Sequence, residues 1–147
     1  MTYNLDRFVQ AQDSGAYTRA IAELQAGAKR SHWIWFIFPQ IAGLGSSPMA
    51  ETYGLHGVAE ATAYLEHPVL RERLLAAMNA VRAHSTPLRT LMGSQIDALK
   101  LVSSMTLFRE VGRRVKDDEV ANAADAILRA AAGQGFAECA FTKLTLG

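Results

Sequence analysis

The apolar positions of this chain fall mainly into helical spacing. Leu5, Phe8 and Val9 share one face of a segment that Asn4 can cap and that extends to Gln12. Ser14 can cap a second helix, in which Tyr17, Ile21 and Leu24 recur at intervals of four and three, and Gly27 ends it. From Pro48 to Ser85 the spacing stays helical, with breaks near Gly54–Gly57 and at His67-Pro68. Pro68 suits the first turn of a helix carrying Val69, Leu70, Leu74, Leu75, Met78 and Val81. Pro87 begins a short turn that ends at Gly93. Asp97 to Val102 reads as helix, Ser103 to Phe108 as an irregular or extended stretch, and Asn122 to Ala132 as the last clear helix. The fold class expected is mainly α: one helical domain spanning 1–147, with a small β element around residues 33–38. That element rests on Trp33 to Phe38, Trp-Ile-Trp-Phe-Ile-Phe, whose aromatic and β-branched content favours extended structure until Pro39 stops it.

Composition changes this picture little but excludes much. Half the residues are hydrophobic and 20% are charged, as in ordinary globular domains, and 147 residues suffice for a core without staples. The one cysteine, Cys139, excludes an internal disulfide and a cysteine-rich metal cluster. Its apolar setting reads as a structural thiol rather than a nucleophile. A net charge of +1 argues against an electrostatic grip on nucleic acid, for which a local patch of Lys29, Arg30, Arg71 and Arg73 is the sole basis. The opening residues are polar, so no signal peptide is expected, and the longest strongly apolar run, Trp33 to Pro39, is too short to span a bilayer. A cytoplasmic location and no membrane partner are therefore expected.

No Walker loop, GxGxxG fingerprint or GxSxG elbow is present, and no cofactor is expected. His32, His56, His67 and His84 lack the spacing of a helical metal pair, so no metal site is expected. Candidate chemistry lies instead in three stretches. Lys29-Arg30-Ser31-His32-Trp33 joins two cations to a hydroxyl, an imidazole and an indole, groups that suit an anionic, planar ligand. His32 can serve there as a general acid or base. After Trp35 and Gln40, the loop Gly43-Leu44-Gly45-Ser46-Ser47-Pro48 offers backbone N–H groups and hydroxyls to an anion. In Asp97 to Thr106, Asp97 and Lys100 share a helix face, followed by Ser103 and Ser104. Each stretch has a plainer reading: cations at a helix end before core aromatics, an ordinary loop and cap, and a surface ion pair beside hydroxyls bonded to their own backbone.

Four segments also carry a resemblance: RFVQAQ at Arg7–Gln12, KRSHWIWFIFPQIAGLGSS at Lys29–Ser47, YLEHPVLRERL at Tyr64–Leu74 and DALKLVSSMTLF at Asp97–Phe108. They resemble the family labelled domain of unknown function 1810, whose members are often labelled calpastatin. The resemblance implies a small, mostly helical intracellular domain. The calpastatin label fits poorly, because such an inhibitor would be a disordered, repeat-bearing chain. A distant similarity to the YbiA-like (NADAR) group implies ADP-ribose and N-glycosidic chemistry. The chain departs from the family pattern at Arg71, where glycine is usual, and in its tail, GQGFAECAFTKLTLG.

Two functions follow as expectations. The first is a small enzyme acting on a nucleotide-like or ADP-ribosyl ligand by hydrolysis of an N-glycosidic bond. Lys29, Arg30, Ser31 and the loop would hold phosphate, Trp33 or Trp35 would stack on the base, and Asp97 or Glu60 would stabilise an oxocarbenium-like state or activate water. The second is a non-catalytic interaction domain, in which the same residues shape core and surface.

Overall fold

In the computed structural model, which describes residues 3–147, the chain is a bundle of α-helices with no strand among those residues. α1 (Asp6–Ala11) runs through a π turn (Gln12–Ala16) into α2 (Tyr17–Ala26). The join differs from the expected cap. Ser14 does not cap a new helix; its hydroxyl donates to the Ala11 carbonyl at 2.6 Å, and Gly15 takes the bend at φ +98°. Asn4 is not the cap either, since Leu5 occupies that position without a side-chain bond. Gly27 does end α2, in the left-handed conformation.

The expected β element at 33–38 is absent. Ile34–Ile37 forms a single helical turn, α3. The reason is burial on more than one side: Ile34, Phe36 and Ile37 all enter the core, which an alternating strand could not arrange from one face. The extended pairing that does occur lies further on. Ile41 and Leu55 form an isolated parallel bridge, with the Ala42 N–H donating to the Leu55 carbonyl (2.8 Å) and the Leu55 N–H to that of Gln40 (2.9 Å).

α4 (Pro48–Tyr53) starts at the expected cap, where the Ser47 hydroxyl accepts from the Ala50 N–H at 3.2 Å. α5 (Gly57–Glu66) and α6 (Pro68–Arg82) are divided at His67, whose ring accepts from the Leu70 N–H. α7 (Leu88–Leu91) is one turn, and α8 (Gln95–Arg114) follows. Ser103–Phe108, expected to be irregular, lies in the middle of α8 and is wholly buried. Ser103 and Thr106 donate to the carbonyls of Leu99 and Val102, four residues back, which removes the hydroxyls' conflict with helix. α8 is thus the central rod of the core. α9 (Asp118–Gly133) packs along it, and α10 (Ala140–Leu146) closes one end.

The buried apolar side chains form one cluster, threaded by Phe8, Tyr64 and Phe108 at ring separations of 5.1 and 5.5 Å. Two polar anchors brace it. Gln12, buried in the π turn, donates to the Phe36 carbonyl at 2.8 Å and ties that turn to α3. Arg109 forks onto Glu138, with one contact of 2.7 Å, and fixes the tail against α8. Asp117 caps α9 and accepts two 2.9 Å bonds from Arg71, which makes it a joint between α6 and α9. The arginine that departs from the family pattern belongs to that joint.

Candidate functional site

A cleft of about 490 Å³ opens between the 40–54 segment and the first half of α8. Its polar groups are Gln40, Ser46, Ser47, Lys100 and Ser103; Trp35, Tyr53, Ile41, Leu44 and Leu99 supply most of the apolar wall. This size and mixture suit a small molecule.

The local sequence explains the walls. On the single turn of α3, successive side chains point about 100° apart. Trp33, just before the turn, is therefore buried at 1% exposure, while Trp35 faces the cleft. On a strand the two indoles would have shared a face. Ile96, Leu99, Lys100 and Ser103 recur at spacings of three, one and three, the pattern of one face of α8. Gly54 allows the 42 and 54 segments to touch, since a Cβ there would sit 2.8 Å from the Ala42 Cα.

The expected site residues divide into two groups. Trp35, Gln40, Gly45, Ser46, Ser47, Lys100 and Ser103 come together at the cleft. Lys29, Arg30, Ser31, His32, Trp33, Gly43, Glu60, Asp97 and Ser104 are not part of its lining. Arg30 and His32 are exposed on the surface. Gly43 lies beside the loop wall, within 3.5 Å of the Phe141 ring for an added Cβ. Glu60 is buried elsewhere, where it pairs with Arg7 at 3.1 Å and accepts from the His56 N–H at 2.8 Å. Arg7 also donates to the carbonyls of Thr52 (2.8 Å) and Gly54 (3.0 Å), so Glu60 holds α1 against the far side of the cleft wall. Ser104 is fully buried in α8 and its hydroxyl has no protein partner.

Asp97 lies between the two groups. It binds Lys29 at 2.8 Å and stands 3.9 Å from Lys100. Each lysine also lies over an indole: Lys29 Nζ is 4.8 Å from the Trp33 ring centroid and Lys100 Nζ 4.9 Å from that of Trp35. Lys29 is held further by the Ser31 carbonyl. The Asp97 N–H donates to the Ser94 hydroxyl that caps α8.

Sequence reasoning missed Glu23. Its carboxylate accepts from the N–H groups of Arg30 (2.7 Å) and Ser31 (2.9 Å), the Ser31 hydroxyl (2.6 Å) and the Trp33 indole (3.0 Å). Burial alone would raise its pKa, but bonds from Ser31, Arg30 and Trp33 outweigh burial and hold it at about 2. The Lys29–Trp33 string is thus wound around a carboxylate, and its backbone donors are spent on it. Nothing in the spacing of Glu23 from Ser31 marks this, because the chain turns between them. Arg109 holds Glu138 low in the same way, also at about 2.

Among the described residues, no three His, Cys, Asp or Glu side chains are grouped as metal ligands would be, and no helix is long and apolar enough to cross a membrane.

Fold and cleft together define an all-helical domain with a small-molecule-sized pocket, walled by a glycine–serine loop and a lysine-bearing helix. The chain belongs to the family described as "Protein of unknown function (DUF1810)", whose model matches residues 2–134. It is similar to the conserved hypothetical protein Rv1873 from Mycobacterium tuberculosis, known from a crystal structure. The identity is 38% and the TM-score 0.79, over 98% of this chain and 96% of that one. No curated protein matches. The similarity to the YbiA-like group is not shown by these comparisons.

Proposed function

We propose that this protein binds a small anionic ligand in the cleft between the 40–54 segment and α8. The single observation that carries this reading is the position of Lys100. Its ammonium lies over the Trp35 ring at the cleft wall, opposite a loop of small residues and hydroxyls. Lys100 would hold the charge, while Trp35 and Tyr53 would flank the ligand body.

The geometry supports binding better than chemistry. Asp97, Glu60 and His32, the groups assigned to catalysis, do not line the cleft, and Asp97 is engaged by Lys29. Hydrolysis of an N-glycosidic bond would need a carboxylate beside the sugar carbon. Asp97 is the nearest candidate, one ion pair from the wall, and this keeps a nucleotide-directed enzyme as the second reading.

A thermal-shift panel of ADP-ribose, NAD, mononucleotides and small organic acids tests the proposal. A true ligand at about 100 times its dissociation constant adds roughly 2.7 kcal/mol of stability. That gain should vanish in Lys100→Met and persist in His32→Ala. No shift with any anion, or a shift that survives Lys100→Met, would sink the proposal. Release of free base from NAD or ADP-ribose, abolished by Asp97→Asn, would establish the second reading.

A further inference from the structure

We infer that the ligand of this cleft is a singly charged organic acid, a carboxylate on an apolar body, rather than a nucleotide or another multiply charged phosphate. This rests on the binding role proposed for the cleft and narrows it to a chemical class.

Lys100 is the one charged side chain in the cleft lining. Behind it, Asp97 is taken by Lys29 at 2.8 Å, and the 3.9 Å approach to Lys100 is a long pairing. Lys29, Asp97 and Lys100 therefore sum to a single positive charge. A carboxylate cancels it. A phosphate monoester carries about −1.5 to −2 near neutral pH. It would leave excess negative charge in a half-enclosed site that has no second cation, and a pyrophosphate would leave more. Arg30, the cation that could have helped, points to solvent outside the cleft.

The Ser47 hydroxyl accepts from the Ala50 N–H, so its proton is free to donate to a carboxylate oxygen. Ser103 has given its proton to the Leu99 carbonyl and presents only acceptor capacity. One ammonium, the Ser46 and Ser47 hydroxyls and the Gln40 amide suffice for a carboxylate, but only one of these donors is charged, where a phosphate chain carries several negative charges.

Ile96 is 66% exposed and Leu99 46% exposed at the edge of the cleft. Leu44 and Ile41 continue the apolar surface inward. Such a lining gains by covering hydrocarbon and gives little to a ribose.

Tryptophan fluorescence reads the site directly, because Trp35 faces the cleft. The wild-type protein is titrated with octanoate, 3-phenylpropanoate, octanamide, octyl phosphate and ADP-ribose. Expected are saturable changes with the two acids and at least tenfold weaker binding of octanamide and octyl phosphate. Lys100→Met should reduce octanoate to the octanamide level, and Lys100→Arg should retain the preference for acid. Equal binding of octanoate and octanamide overturns the inference, because the charge is then idle. Binding of ADP-ribose without the acids, lost in Lys100→Met, also overturns it but leaves the anion-binding proposal standing. Silence from every probe, in fluorescence and in thermal shift, removes both.

Discussion

Two lysines sit over two tryptophans on either side of one aspartate, and they do different work. Lys29 over Trp33 is sealed: its side chain is 5% exposed, 2.8 Å from Asp97, and its indole donates to Glu23. Lys100 over Trp35 is 29% exposed, 3.9 Å from the same carboxylate, and lies at the cleft. Residue types alone make these pairs equivalent. Partners and exposure separate them: the first has spent its charge on structure, and the second keeps its charge at the cleft wall.

Removing the sealed lysine should have the largest effect. Lys29→Met leaves Asp97 without its close partner and should lower stability by about 3 kcal/mol, as losing one member of a buried pair does. It should also draw Lys100 toward Asp97 and weaken any anion bound in the cleft. Chemical denaturation and ligand titration of the same variant read both effects.

Glu23→Gln comes next, at about 2 kcal/mol, because it removes the charge that several donors face. The sign with pH is fixed. The folded pKa, about 2, lies below the ordinary 4.5, so the stabilisation is full above pH 4.5 and is lost as pH falls toward 2. Glu138 behaves alike. Wild-type stability should therefore fall steeply across that window, and Glu23→Gln should fall less.

Lys100→Met should cost under about 1 kcal/mol, since its ion pair is long and part-exposed. If it costs as much as Lys29→Met, the two lysines are not the different things described. Arg30→Ala and His32→Ala, on exposed positions, should each stay within about 0.5 kcal/mol.

Much of this arrangement was legible in the sequence. The cap at Ser47, the stop at Gly27 and the helix after Pro68 follow from local chemistry, which acts over a few residues. The cleft half of the expected site, from Trp35 through Ser47 and on to Lys100 and Ser103, came from residue types that the fold does bring together. Trp33–Phe38 was misread because a short apolar run has no period of its own; burial around the whole turn made it helical. Ser103–Phe108 was misread because its hydroxyls bond within α8. Glu23, and the role of Glu60 as the partner of Arg7, were out of reach, since each is defined by partners distant in sequence or across a turn.

The central claim is that a ligand meets the cleft and not the Lys29–Trp33 string. A two-dimensional NMR titration of the full chain with octanoate tests it most directly. Shifts should be concentrated at the Trp35 indole, Gly45–Ser47, Lys100 and Ser103, with the Trp33 indole unmoved. Shifts centred on Arg30–Trp33, or none at saturating acid, would contradict it.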